Sequence, residues 1–203
     1  LGICIEMLLT DRPFEDRIRT ASALGFSKVE MWFVDSSYTG TPEALGEILA
    51  DAGVQMTNTV IGSPDGRIGG GLTDPGNLDQ WLTRTRKTLE FNRRAGIPAS
   101  IVCTGNVAKG MSYRDMRVAV RDGLARTAEL AEKSKIDLYI EPLNTTVDHC
   151  GYFLTSSDEA VELCREIGSE RLRVLFDCYH MQIMEGNLIS RIERNLDVIG
   201  HVH

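Results

Sequence analysis

Short apolar runs alternate along the whole chain with longer stretches of helical periodicity. That alternation predicts a parallel α/β fold. Strands are expected over residues 2–8, 28–33, 54–61, 100–104, 136–141, 172–177 and 198–203. Helices are expected over 10–24, 41–52, 77–95, 113–133, 156–167 and 183–195. Thr10-Asp11-Arg12-Pro13 and Thr41-Pro42-Glu43 carry helix-start chemistry, and Gly25, Gly53 and Gly96 carry stop chemistry. The strand runs are mostly continuous rather than alternating, as expected of strands covered on both faces.

Strand starts recur about every 33 residues, close to the roughly 31 residues per unit of an eight-unit barrel. A doubly wound sheet is the rival architecture and needs no eighth strand. Two features oppose it: no GxGxxG follows the first strand, and polar residues sit at the ends of several strands, as the C-terminal face of a barrel requires. The expected fold is therefore a (β/α)8 TIM barrel, with residues 1–203 forming one domain of seven strands and six helices. A further C-terminal portion of about 50 residues is expected beyond His203, one more unit with its closing strand. The run Gly69-Gly70-Gly71 has no following Lys-Ser/Thr and opens no helix, so a flexible active-site loop is expected rather than a phosphate loop.

Composition narrows the function classes. The net charge is −7 and the pI about 5.2, a poor match to a nucleic-acid partner. No apolar run approaches the roughly 20 residues of a membrane span, and the N-terminal residues lack the basic start of a signal peptide. The five cysteines are odd in number and form no CxxC pair, which fits a reducing cytoplasm better than a disulfide framework. Cys4 and Cys103 lie in apolar runs and read as small core residues. Arg84, Arg86, Lys87, Arg93 and Arg94 read as a solvated helix face.

The chemistry collects at three strand ends: Glu141 in IEPLN, Asp177 in LFDCYH and His203 in IGHVH. Each gap is about one βα unit, so the three side chains should meet at one face of adjacent strands. Two carboxylates and an imidazole suit Mg²⁺ or Mn²⁺, with Co²⁺ or Zn²⁺ also admissible. Taken singly, each has a plainer explanation: a helix-cap partner, a surface charge, a satisfied core histidine. His201 lies two residues before His203 and shares its face. His180 opens the loop after Asp177 and is placed to reach a substrate oxygen. Glu30 is expected to face the barrel interior and to need a partner there. Trp32 shares its face; a core position is the plainer reading and a pocket wall the functional one.

Through IEPLN, DHCGYFL, LFDCYHMQIMEGNL, IGHVH, the opening CIEMLLTDRPFEDRI and FSKVEMW, the chain resembles the xylose isomerase-like TIM-barrel superfamily. Within it, the chain is most similar to the hydroxypyruvate isomerase-like proteins. The resemblance implies one divalent metal, with Glu141, Asp177 and His203 as ligands and a second Glu on the eighth strand. Hydroxypyruvate isomerases carry Gln where His203 stands; the His resembles the ketose 3-epimerases of the same superfamily. The implied chemistry is a proton shuttle through an enediolate. Glu141 serves as ligand and acid/base, and His180 as donor to a substrate oxygen. His180, His201, Asn144, Glu30 and Trp32 are the substrate-side candidates. The implied substrate is a small hydroxy-keto acid or sugar, and related barrels often form homo-oligomers. The superfamily also resembles a three-zinc DNA-repair nuclease, but four histidines and an acidic chain argue against that class. A non-catalytic sugar-binding module is the remaining alternative.

Overall fold

The computed structural model describes residues 1–203. Its strands are all parallel and lie in two hydrogen-bonded groups. The first contains β1 (Gly2–Cys4), β2 (Lys28–Glu30) and β3 (Gln55–Met56), in that order. The second runs β4 (Asn58–Val60), β5 (Ala99–Val102), β6 (Asp137–Ile140), β7 (Leu172–Phe176) and β8 (Ile199–Val202). Between them stand α1 (Phe14–Ala23), α2 (Pro42–Ala52), α3 (Leu78–Ala95), α4 (Tyr113–Ser134), α5 (Ser157–Ile167), α6 (Cys178–Met184) and α7 (Leu188–Arg194). No helix is long and apolar enough to cross a membrane.

The expected strand over 54–61 is split at Thr57 into β3 and β4. Thr57 N–H and its hydroxyl both donate to the Val29 carbonyl, at 2.9 and 3.3 Å. The two groups stay joined because Met31 N–H donates to Asn58 O and Val60 N–H to Trp32 O (2.7 Å). The strands are shorter than their apolar runs because their carboxyl ends turn into loops at the barrel mouth. After β1, for instance, Met7 N–H turns back to Cys4 O. These turned ends carry the polar side chains.

Helix starts follow local chemistry. The hydroxyls of Thr41, Ser112 and Ser156 accept from backbone N–H groups three residues on, and Gly53, Gly96 and Gly168 close helices in the left-handed conformation. The last expected helix, 183–195, is instead two. The chain enters α6 early, at Cys178, because the Asp177 carboxylate caps it. It breaks at Gly186 and Asn187, which have φ of +65° and +51°. Two consecutive left-handed residues cannot continue a right-handed helix.

The larger core joins β4–β8 to α3, α4 and α5; a smaller one joins β1–β3 to α1 and α2. Trp81 of α3 is fully buried in the larger, its indole N–H donating to Thr127 of α4 at 2.8 Å. Truncating it to Ala should cost about 3–5 kcal/mol. Asn92 of α3 links helix to sheet by donating to Thr59, Ser100 and Ala99 O, all at 2.9 Å.

Several expectations change here. Arg84 is not solvated: its side chain is 9% exposed, with Nε donating to Ile61 O and a guanidinium nitrogen paired with Asp35. Lys87 also pairs with Asp35, at 2.9 Å. Cys103 is core, but Cys4 is only partly buried and belongs to neither core. The run Gly69-Gly70-Gly71 is a pinned turn rather than a loose loop. All three residues have positive φ, Gly70 O accepts from Asn77 (2.6 Å), and Leu72 N–H donates to Thr104 O (2.7 Å). Gly71 packs so closely on Gly105 that a Cβ added at Gly105 would meet the Gly71 Cα at 2.9 Å.

Candidate metal and substrate site

Side chains alternate along each strand, so the residues that end β2, β6, β7 and β8 with an inward pointing side chain share the barrel mouth. The structure brings Glu141, Asp177 and His203 together there. His203 Nδ1 lies 3.9 Å from Glu141 Oε1 and 3.8 Å from Asp177 Oδ2. These gaps are too long for hydrogen bonds and short enough for all three atoms to face one small cation. His180 joins the same group, its Nε2 lying 3.8 Å from Asp177 Oδ2.

The two carboxylates differ in their bonding. Asp177 Oδ1 accepts the backbone N–H of His180 at 2.9 Å, while Oδ2 faces the cluster. Glu141 is buried, and its carboxylate accepts no hydrogen bond from the protein. Burial pushes its carboxyl up to about 8; the nearby His203 lowers it, and Asp177 and Glu30 raise it. A buried carboxylate without a donor, beside a second carboxylate, calls for a cation. This donor set, two oxygens and one imidazole nitrogen, fits a hard or borderline divalent ion.

The histidine rings are oriented by different partners. Asn144 supplies both its backbone N–H (3.3 Å) and its side-chain amide (2.7 Å) to His180 Nδ1. Nδ1 is then the acceptor and Nε2 carries the proton, so His180 presents a donor and not a ligand lone pair. Burial lowers the pKa of His180, and the nearby Asp177 works against that. The Asn144 amide also donates to Asp148 (2.8 Å), and its Oδ1 accepts from Val147 and Asp148 N–H. Every polar atom of the Asn144 side chain is thus engaged within the protein.

Glu30 finds the partner expected of a buried carboxylate, and finds two. His201 Nε2 lies 2.8 Å from Oε1 and His203 Nε2 lies 2.9 Å from Oε2. Burial alone would raise the Glu30 carboxyl; hydrogen bonds from both histidines outweigh it and hold it well below the usual carboxylate range. Burial would lower His203, but Glu30 above all, then Glu141 and Asp177, raise it. The His201 ring stacks on Tyr139 at 5.5 Å. Trp32 is 43% exposed at the rim, not in the core. Its backbone N–H lies 3.5 Å from the Glu6 carboxylate.

Sequence patterning missed Tyr152. Its phenol donates to the Glu141 carbonyl (2.9 Å) and accepts from Thr104 N–H (2.8 Å), tying the end of β6 to the end of β5. Tyr152 sits in an aperiodic loop, where only the apolar Tyr-Phe-Leu run marks it as buried.

A family model described as xylose isomerase-like TIM barrel matches residues 18–203. A 2-oxo-tetronate isomerase of Cupriavidus necator is 29% identical over 202 residues, covering 98% of this chain and 75% of that protein. A hydroxypyruvate isomerase of Escherichia coli is 28% identical over 200 residues, covering 98% and 76%. Among solved structures, an AP endonuclease, family 2, of Brucella melitensis superposes with a TM-score of 0.89 at 22% identity, covering 99% of this chain and 77% of that one. At that identity the likeness speaks for the fold alone.

Proposed function

The chain belongs to the xylose isomerase-like TIM-barrel family, and on that premise we propose that it is a divalent-metal-dependent isomerase of a small hydroxy-keto acid of the hydroxypyruvate class. One observation carries the reading: His203 Nδ1 lies 3.9 Å from a Glu141 oxygen and 3.8 Å from an Asp177 oxygen, and Glu141, Asp177 and the adjacent His180 form a cluster able to hold a cation at the barrel mouth. The two isomerase relatives, each matched over nearly the whole of this chain, support the reaction class.

Glu141, Asp177 and His203 would hold the ion. Once bound, it would supply Lewis acidity to a carbonyl oxygen and the neighbouring hydroxyl, lowering the cost of removing the hydrogen between them. The remaining steps belong to the protein. The second Glu141 oxygen, which accepts no hydrogen bond within the protein, would take or return the proton. His180 Nε2–H, aimed by Asn144, donates to the substrate oxygen on which negative charge grows. Trp32, exposed at the rim, walls the approach.

His203 favours a second reading, a ketose 3-epimerase. The resemblance noted above associates His at this position with the epimerases, where hydroxypyruvate isomerases carry Gln. The two reactions use the same cation and carboxylate and differ in where the proton returns.

The deciding experiment strips the protein of metal, adds back Mn²⁺ or Mg²⁺, and follows hydroxypyruvate against tartronate semialdehyde alongside a panel of ketoses. Metal-dependent interconversion of the first pair supports the isomerase. Turnover of a ketose alone moves the assignment to an epimerase. No turnover with metal bound overturns both.

A further inference from the structure

We propose that Glu30 is a positioning residue for the cation site: it holds the His203 ring so that Nδ1 faces Glu141 and Asp177. The proposal rests on the reading of Glu141, Asp177 and His203 as one cation site, and it reassigns Glu30 from substrate contact to ligand orientation.

Glu30 stands at the end of β2, 171 residues before His201. Both of its oxygens are occupied. Oε1 pairs with His201 Nε2 at 2.8 Å, and Oε2 pairs with His203 Nε2 at 2.9 Å. The Thr57 hydroxyl adds a longer contact to Oε1 at 3.3 Å. An ionised carboxylate only accepts, so both imidazole nitrogens must be the donors. With the proton on Nε2, the lone pair of neutral His203 is on Nδ1, the atom 3.8–3.9 Å from Asp177 and Glu141. Glu30 thus lies across the ring from the cluster, where it orients a ligand without being one. A carboxylate behind an imidazole also strengthens that imidazole as a donor to a metal.

His201 completes the arrangement. Its ring stacks on Tyr139 and stands edge-on to His203, with centroids 4.9 Å apart. A flip of the His203 ring would put Cε1 against Oε2 and Cδ2 where Nδ1 faces the cluster, losing the hydrogen bond to Glu30 and the ligand lone pair together.

The test compares wild type, Glu30→Gln and Asp177→Asn for Mn²⁺ affinity, read from the electron paramagnetic resonance of free Mn²⁺. It also compares their visible absorption with Co²⁺ bound and their melting temperatures. Glutamine keeps one acceptor and places an N–H₂ against the second histidine. The expected result is that wild type binds Mn²⁺, Asp177→Asn does not, and Glu30→Gln binds about 10- to 100-fold more weakly with shifted Co²⁺ bands. If Glu30→Gln keeps wild-type affinity and bands while Asp177→Asn loses the ion, the cation site stands and the positioning role falls. A lower melting temperature with unchanged affinity and bands marks a structural role only and also overturns the proposal. If wild type itself binds no Mn²⁺, the cation reading fails first and this one with it.

Discussion

The two sides of the barrel mouth hold glutamates in opposite states. On the β2 side, Glu30 accepts from two histidines and Thr57 and is held ionised. On the β6 side, Glu141 is buried, accepts nothing, and is pushed toward its neutral form by that burial. Both are glutamates at the carboxyl end of a strand, and the difference lies chiefly in the partners that the neighbouring strands supply. A satisfied carboxylate stiffens its surroundings; an unsatisfied one stores a demand for positive charge. The barrel places one of each on either side of His203.

The largest test of that contrast is Glu141→Gln. We expect kcat to fall on the order of 10³-fold, as for loss of a general base, while the metal-free protein melts no lower than wild type. Glu30→Gln should move stability the other way, costing about 1.5–3 kcal/mol for hydrogen bonds to a charged group, read by denaturant unfolding. Near-wild-type turnover by Glu141→Gln would remove the acid/base assignment. Next, adding Mn²⁺ at a hundredfold excess over its dissociation constant should stabilise wild type by about 2.7 kcal/mol, and Asp177→Asn should abolish the shift. Third, Asn144→Ala frees His180 Nδ1 from both its side-chain donor and the loop it anchors. We expect kcat/KM to drop about 10- to 100-fold with Mn²⁺ affinity unchanged, measured by steady-state kinetics beside metal titration. A parallel loss of affinity would mean that His180, rather than His203, is the ligand.

The smallest effect lies on the β2 side of the barrel. Asp35 accepts from Arg84 and Lys87, and the Arg84 bond chiefly holds its carboxyl down at about 2, below the ordinary 3.8. A lowered carboxyl contributes stability that is present above its unfolded value and lost as pH falls toward 2. Because Asp35 is partly exposed, solvent screening limits the contribution to about 0.5 kcal/mol. Unfolding curves of Asp35→Asn should therefore converge with wild type near pH 2 and separate above pH 4.

The βα alternation and the positions of Glu141, Asp177 and His203 were legible because strand spacing sets which residues reach the mouth; His180, expected to open a loop, stands instead in the first turn of α6. The Glu30 pairing was only half legible. Its inward face and its need for a partner follow from β2, but the partners come from β8, and only the curl of the sheet brings them across. Arg84 was misread because helix periodicity shows which residues share a face, not that a loop carboxylate and the Ile61 carbonyl will cover one of them. The break at Gly186-Asn187 carried a signal, since that pair favours left-handed backbone. Asn144 and Tyr152 act from an aperiodic loop, where neither helical nor strand periodicity bears on position.

Asp177 serves two masters with its two oxygens: Oδ1 starts α6 by capping His180 N–H, and Oδ2 faces the cluster. Random mutation at this codon is therefore judged on folding and on chemistry at once. Asn keeps the oxygen that begins the helix and discards the charge, whereas Ala discards both, at a further cost of about 1 kcal/mol. A lineage that abandoned catalysis while keeping the barrel should drift toward Asn or Ser at position 177 rather than toward Ala, and at position 141 toward any side chain that fills the space.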